Sequence, residues 1–270
     1  MAKVIILMGN HARHHYLAKP LFEKYADSIQ IIKMQRESVL PDAAHLQMDN
    51  RLKKIYERHF NERLEVENKY FGTESEMKID EKYFNIQYIT PEQLNSMEIE
   101  QLLKTNDPDI VISIGIHVLK NNIIKALPKR NMNVHLGLSP RYRGDATLFW
   151  PTYNLEPWNC GTTFHKLTEL IDGGKIYHQT GTKLNIEHGV HETAAEAVKL
   201  ANENIANTVQ LILENRINHK DQKPVGRSYF AKDFRPEHLV PIYEDRNNKT
   251  IKFLSQFYND FPQPKLHLGF

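Results

Sequence analysis

Asn133 and His135 stand two residues apart in the stretch NVHLGLSPRYRG, and Asp172 opens the turn DGGK further along the chain. An amide, an imidazole and a carboxylate can together polarise a carbonyl and move a proton. In a strand, residues i and i+2 project from the same face, so Asn133 and His135 would present their side chains together. A carbonyl held there could take a hydrogen bond from the amide and exchange protons with the imidazole. The bland alternative is a pair of core polar residues satisfied by loop backbone. Asp172, taken alone, is an ordinary turn aspartate.

The loop after His135 adds Pro140, Arg141, Tyr142, Arg143 and Gly144. Gly144 would free the backbone at the entrance to the next helix, DATLFWPTYN, whose N-terminus can receive an anion. That helix is expected to break at Pro151. Arg141 and Arg143 otherwise read as solvated charges. Tyr142, Phe149 and Trp150 are available to stack on a base or a sugar, or to pack in the core. Near the N-terminus, GNHARHH gathers His11, His14 and His15. With no cysteine or acidic neighbour in the sequence to complete a ligand set, no metal is expected there. The segment also lacks a P-loop lysine and the spacing of a dinucleotide fingerprint.

Strands are expected at 3–8, 29–34, 84–89, 109–114 and 132–136, with helices near 14–26, 48–70, 91–104 and 118–127. Short apolar runs alternating with helices imply βαβ units. The expected class is α/β: a Rossmann-like, mostly parallel sheet with helices on both faces, plus a small C-terminal appendage. Ligands of such sheets bind beyond the carboxyl ends of the strands, where Asn133 and His135 fall. Thr90 is read as the N-cap of the third helix, with Pro91 at its first position. In segment 48–70, Leu52, Ile55, Tyr56, Phe60 and Leu64 form one apolar stripe. It reads as a charged surface helix lying on the sheet, or as one that turns Arg51, Arg58 or Arg63 toward a phosphate. Two more strands, in GTTFHKL and GKIYHQTGTKL, precede a long helix opened by a capping box of Thr193 and Glu196. The main domain is placed at 1–215 and the appendage at 216–270.

The 270 residues carry a formal net charge of +2 and a single cysteine, Cys160. One cysteine excludes an internal disulfide framework. No apolar run approaches about 20 residues, so no membrane helix is expected. The start MAKVIILMGN reads as a first strand rather than a secretion signal, which places the chain in the cytoplasm. The near-neutral charge gives no support for a nucleic-acid partner, and a homodimer is left open.

Asn-Val-His, then Pro-Arg-Tyr-Arg-Gly, then LIDGGKIYHQ resemble the folate-dependent formyltransferases. That family shows an Asn-x-His strand, a Leu-Pro-Arg-Tyr/Trp-Arg-Gly loop and an Asp-x-Gly turn some 35–40 residues later; here His135 and Asp172 lie 37 apart. Three elements in order at matching spacing are much more specific than any one of them. The resemblance covers about residues 1–190, and Ser139 stands where Leu is usual before the proline. It implies transfer of a formyl group from 10-formyltetrahydrofolate to an amine, without a metal. Asn133 would hold the formyl oxygen as it becomes an oxyanion. His135 would stabilise the tetrahedral intermediate and assist proton transfer. Asp172 would orient His135 or accept the amine proton through water. The folate would lie against Ile116, His117, Val118 and Leu119, and against Leu167, Leu170 and Ile171. Gly9 and Asn10 would meet an acceptor phosphate, as in some relatives, and Arg141, Tyr142, Arg143 and Trp150 complete the expected acceptor-binding set.

Within the family, the short C-terminal segment with GRSYFAKDF and the inserted charged helix resemble the nucleotide-sugar N-formyltransferases. The expected acceptor is therefore a nucleotide-linked amino sugar of a bacterial surface glycan, or of a nonulosonic-acid type pathway. Methionyl-tRNA is the second reading, with too few residues after 215 for the β-barrel of the RNA-binding members. A hydrolase of the folate donor, or a folate-binding protein without turnover, is the third. The intact Asn133, His135 and Asp172 speak against the last of these.

Overall fold

The computed structural model describes residues 2–41, 48–73, 75–77, 84–223 and 225–270. Seven strands form its main sheet: β1 (Val4–Gly9), β2 (Ile29–Met34), β3 (Asn85–Ile89), β4 (Ile110–Ile114), β5 (Asn131–His135), β7 (Gly161–His165) and β8 (Ile176–Gly181). Their order is β3-β2-β1-β4-β5-β7-β8, with the first five parallel and the last two antiparallel. Strand order reverses at β1, which lies between β2 and β4. Such a reversal opens a crevice at the strands' carboxyl ends.

The period of two explains why β1 is buried along its whole length. Val4, Ile6 and Met8 join one core with Ile112, Val134 and Phe164. That core is covered by α1 (Ala12–Tyr25) and by the long α6 (Val190–Leu213). Ile5 and Leu7 face the other way, toward Ile99 and Leu103 of α3 (Met97–Asn106) and Ile123 of α4 (Asn121–Ala126). A strand covered on both faces needs apolar residues at every position, and the sequence shows that pattern.

Helix α2 (Asn50–Phe71) starts at Asp49, whose carboxylate accepts from Leu52 N at 2.8 Å. It does not lie on the sheet. It packs on α1, α6 and the C-terminal segment, where Ile55 and Tyr56 meet Trp150, Tyr229, Leu239 and Tyr243. Three local expectations are also corrected. Thr90 precedes a turn, and Ser96 caps α3 by accepting from Ile99 N. Helix α6 begins at Val190, with Glu192 accepting from Gly189 N at 3.0 Å; Glu196 pairs with Lys199 instead. Pro151 opens the short α5 (Trp150–Tyr153) rather than breaking a longer helix, since proline costs nothing in a first turn.

Residues after 215 thread back onto the rest of the chain. Strand β9 (Arg227–Tyr229) pairs in parallel with β6 (Tyr142–Gly144), and two short helices follow, α7 (Val240–Tyr243) and α8 (Thr250–Leu254). The last residues run beside the edge strand β8: His267 O accepts from Gln179 N at 2.9 Å, and the Phe270 ring stacks on His178 at 4.3 Å.

Candidate active site

The polar residues of β5 are placed by its neighbours. Asn133 is paired with Ser113 of β4 on one side and with His165 of β7 on the other. Ser113 Oγ donates to Asn133 Oδ1 at 2.5 Å, which turns the amide nitrogen outward. Asn133 Nδ2 then lies 3.1 Å from His165 Nε2 and 3.4 Å from Asp172 Oδ1. His135 is buried, with Nδ1 3.3 Å from Asp172 Oδ2 and Nε2 2.9 Å from Tyr142 O.

Asp172 joins these groups. Its Oδ2 also accepts from Gly144 N at 2.8 Å, and its Oδ1 lies 3.3 Å from His165 Nε2. Its φ of 46° is in the left-handed region, and Gln222 Nε2 holds its carbonyl at 2.9 Å. Gly144, at φ 90°, is required for a separate reason: a Cβ there would stand 2.0 Å from Tyr229 O. Its glycine thus lets β6 pair with β9 while its N–H reaches the carboxylate.

Burial alone would raise the Asp172 pKa. The His135 and His165 imidazoles and the Gly144 N–H overcome it and hold the carboxyl well below the usual range. Burial pushes His135 below the ordinary imidazole value, while Asp172 and Tyr142 O pull it upward. Both ring nitrogens of His135 face oxygen acceptors, so a second proton on the ring would be hydrogen-bonded at once. The resting ring is therefore a neutral base, and the Asp172 anion and Tyr142 O offset part of the burial cost of the charged form when it takes up a proton. That is the condition for general acid–base work.

This cluster forms part of the wall of a cavity of about 960 Å³. Ile116, His117, Val118, Leu119, Leu167, Leu170 and Ile171, expected from the sequence at a folate site, all lie on it. Val118 and Leu170 are 63% and 68% exposed, so they leave apolar rim uncovered at the entrance. His117 Nε2 lies 2.9 Å from Glu37 Oε1.

The expected acceptor-binding residues are placed elsewhere. Asn10 Oδ1 accepts from Arg36 N, and neither Gly9 nor Asn10 reaches the cavity wall. Arg141 pairs with Glu156, and Tyr142 donates to the same carboxylate at 3.1 Å. Trp150 is buried against Tyr229, with ring centroids 4.6 Å apart, and its Nε1 donates to Asp145 O. Arg143 Nε is buried, and like Arg141, Tyr142 and Trp150 it lies off the wall. Arg141, Tyr142 and Trp150 thus brace the turn that presents Gly144 N–H and Tyr142 O to the site.

Another part of the wall comes from residues that the sequence motifs do not point to. Arg13, Arg36, His59, Arg63 and Glu67 line it, with the aromatic rings of Phe60 and Phe234. Of the three α2 arginines weighed as phosphate ligands, Arg51 pairs with Glu244 and Arg58 with Glu62, while Arg63 faces the cavity. Of the histidine-rich segment, His11 and His14 line the cavity and His15 does not. Among the described residues, no group of three His, Cys, Asp or Glu side chains converges as a metal cage. No helix among them is long and apolar enough to cross a membrane.

Residues 65–209, just over half of the chain, match the model of a family described as formyl transferase, and this span contains Asn133, His135, His165 and Asp172. The chain is 31% identical over 160 residues to the bifunctional polymyxin resistance protein ArnA of Wigglesworthia glossinidia brevipalpis, covering 58% of this chain and 24% of that protein. It is 25% identical over 192 residues to methionyl-tRNA formyltransferase of Pelagibacter ubique, covering 70% of this chain and 60% of that one. The chain thus spans from a quarter to under two thirds of these relatives' lengths. Among solved structures it resembles WlaRD, a sugar 3N-formyltransferase solved in the presence of dTDP and 5-N-formyl-THF. The TM-score is 0.59 at 16% identity, over 98% of this chain and 82% of that one. That likeness is one of fold. With the Asn133, His135 and Asp172 cluster at the ends of β5 and β7, and a family match spanning all three, the chain belongs to the folate-dependent formyl transferase family.

Proposed function

We propose that the protein transfers a formyl group from 10-formyltetrahydrofolate to the amine of a nucleotide-linked amino sugar. The observation that carries this reading is the joining of Asn133, His135 and Asp172 on one wall of a cavity that residues 116–119 and 167–171 also line. A pterin is flat and rich in donors and acceptors, and exposed loop backbone flanked by Val118 and Leu170 suits it. The folate supplies the activated formyl group. Asn133 Nδ2, aimed by Ser113, donates to the formyl oxygen as negative charge grows on it. An ammonium has no lone pair, so His135 and Asp172 take the acceptor's proton before the nitrogen attacks the formyl carbon. The nitrogen that has attacked is then cationic and gives up its second proton to solvent by way of Asp172, while the His135 imidazolium returns the first to the folate nitrogen as its bond to the formyl carbon breaks.

The sugar acceptor is supported by the name of the WlaRD neighbour and by Arg13, Arg36 and Arg63, which line the same cavity as the catalytic cluster. Methionyl-tRNA is a second reading, favoured by the Pelagibacter relative. Incubation with 10-formyltetrahydrofolate and separate nucleotide-linked amino sugars, free amino sugars and methionyl-tRNA, followed by mass spectrometry, separates the readings. A gain of one formyl group on a nucleotide-linked sugar is expected. Transfer to tRNA alone overturns the sugar reading, and formate release without any acceptor makes the protein a hydrolase.

A further inference from the structure

The C-terminal segment reaches the catalytic loop through one buried side chain. Gln179 of β8 makes two bonds with His267: its N donates to His267 O at 2.9 Å, and its Oε1 accepts from His267 N at 3.1 Å. At the other end of the same amide, Nε2 donates to Ser139 O at 2.7 Å and to Thr163 Oγ1 at 3.2 Å. Thr163 Oγ1 in turn accepts from Ser139 N at 3.0 Å and donates to Gly137 O at 2.7 Å. Gln179, Ser139 and Thr163 are all buried, so a bond lost here leaves a polar group unpaired away from water.

The orientation of the amide is fixed from both sides. Reversed, it would set Nε2 against His267 N and Oε1 against Ser139 O, donor on donor and acceptor on acceptor. A tail docked on β8 therefore turns the two amide N–H groups toward the loop between β5 and β6. That loop carries the groups that set His135. Gly137 lies against the ring, since a Cβ there would stand 2.5 Å from His135 Nε2. Just past Ser139, Tyr142 N donates to Leu138 O at 2.9 Å, and Tyr142 O meets His135 Nε2 at 2.9 Å. Gln179, Thr163 and Ser139 all lie off the cavity wall, so none of them is placed to touch a ligand.

We propose that Gln179 is a positioning residue for His135, through which docking of residues 264–270 sets the loop that holds the imidazole. This assignment rests on the proposed formyl transfer, in which His135 is the base. If Gln179 only closed the sheet edge, its loss would cost stability and leave the chemistry unchanged. With a positioning role, its loss lets Tyr142 O drift from the ring, and kcat falls while substrate binding holds. The ring is faced by Asp172 from the turn before β8, by His165 from β7, by Arg143 from β6 and by Tyr142 O. Of these, Asp172 and Tyr142 O support the protonated ring, so loosening Tyr142 O keeps it neutral to lower pH.

Three variants of the full chain test it. Gln179→Met removes the amide, and Gly269→Ala displaces the end of the tail, because its Cβ would collide with Tyr177 O. Thr180→Val is the control: Thr180 is buried on the other face of β8, where its Oγ1 bonds Thr162 Oγ1 at 2.6 Å. With 10-formyltetrahydrofolate and the amine that accepts the formyl group, Gln179→Met and Gly269→Ala should each lower kcat by about ten- to a hundredfold, with KM within about twofold. The acid limb of their pH–rate profiles should move to lower pH, and the double variant should be no slower than the slower single one. Thr180→Val should lower the urea midpoint and keep kcat and the pH profile. NMR titration of the His135 imidazole reads the same shift without any acceptor. If Gln179→Met does not fold, Thr163→Val, which removes the hydroxyl holding Gly137 and Ser139, carries that arm. Wild-type kcat and titration in Gln179→Met overturn the assignment, as does a rise in KM alone, or effects of Gln179→Met and Gly269→Ala that simply add. A shifted His135 titration with no transfer to any amine overturns the proposed function and leaves the positioning role standing.

Discussion

At the scale of single residues, Asp172 holds the site together and its backbone works against stability. One carboxylate receives Gly144 N–H, Asn133 Nδ2 and the two imidazoles, from a residue at φ 46°. Asparagine tolerates that conformation better than most residues. Asp172→Asn should therefore keep its backbone conformation but lose about 1–3 kcal/mol of stability with the carboxylate's hydrogen bonds, while kcat falls by about 10²–10⁴; urea unfolding and steady-state kinetics measure the two. His135→Ala should lose activity on the same scale. His165→Gln should lose less, because His165 supports Asp172 and Asn133 from the side. Its pH–rate profile should shift relative to wild type, which a packing defect alone would not produce. The motif residues were legible because the strand period and a short spacing carry them. His165 was not, although it stands only seven residues before Asp172, in the strand segment GTTFHKL. Its role depends on β7 running antiparallel beside β5, and no local pattern announces a partner across a sheet.

At the scale of elements, the strands were readable and the helix starts were not. Double-sided burial writes itself as apolar runs, so β1, β2 and β4 fall within a residue of their expected ends. Caps are chosen by a single side chain among several candidates. Thr90 and Ser96 both suit a cap in composition, and the turn between them decides for Ser96. Ser96→Ala should cost about 1 kcal/mol in urea unfolding, and Thr90→Ala less than about 0.5 kcal/mol. The position of α2 was misread for a related reason. Its apolar stripe is real, but the stripe states only that something covers it, and the cover is α6 and the C-terminal segment rather than the sheet.

At the scale of the whole molecule, the structure buries many histidines uncharged. His14 and His59 are pushed well below the ordinary imidazole value by burial, and His191 falls to about 3 for the same reason. The unfolded chain binds a proton at each below about pH 6.5, while the folded protein does not. Stability is then full above that pH and declines as pH falls toward the depressed folded values, by about 1.4 kcal/mol per pH unit for each such proton. Asp172, depressed below an unfolded value near 3.9, adds to the loss only in stronger acid. The urea midpoint should fall between about pH 7 and pH 5, and His191→Gln should flatten that fall.

Strand β8 is the outer edge of the sheet, and it is closed by Lys220 at Ile176 and by His267 at Gln179. An outer strand with free N–H and C=O groups is a template for any other extended chain. Here the cover arrives from a segment nearly ninety positions later in the sequence. Until that segment docks, a refolding molecule offers its neighbours an adhesive rail, and crowded molecules will find one another before each finds its own tail. Recovery on dilution from denaturant should therefore drop steeply with protein concentration, and removing residues 264–270 should turn the folded protein from a solution into a slowly growing aggregate.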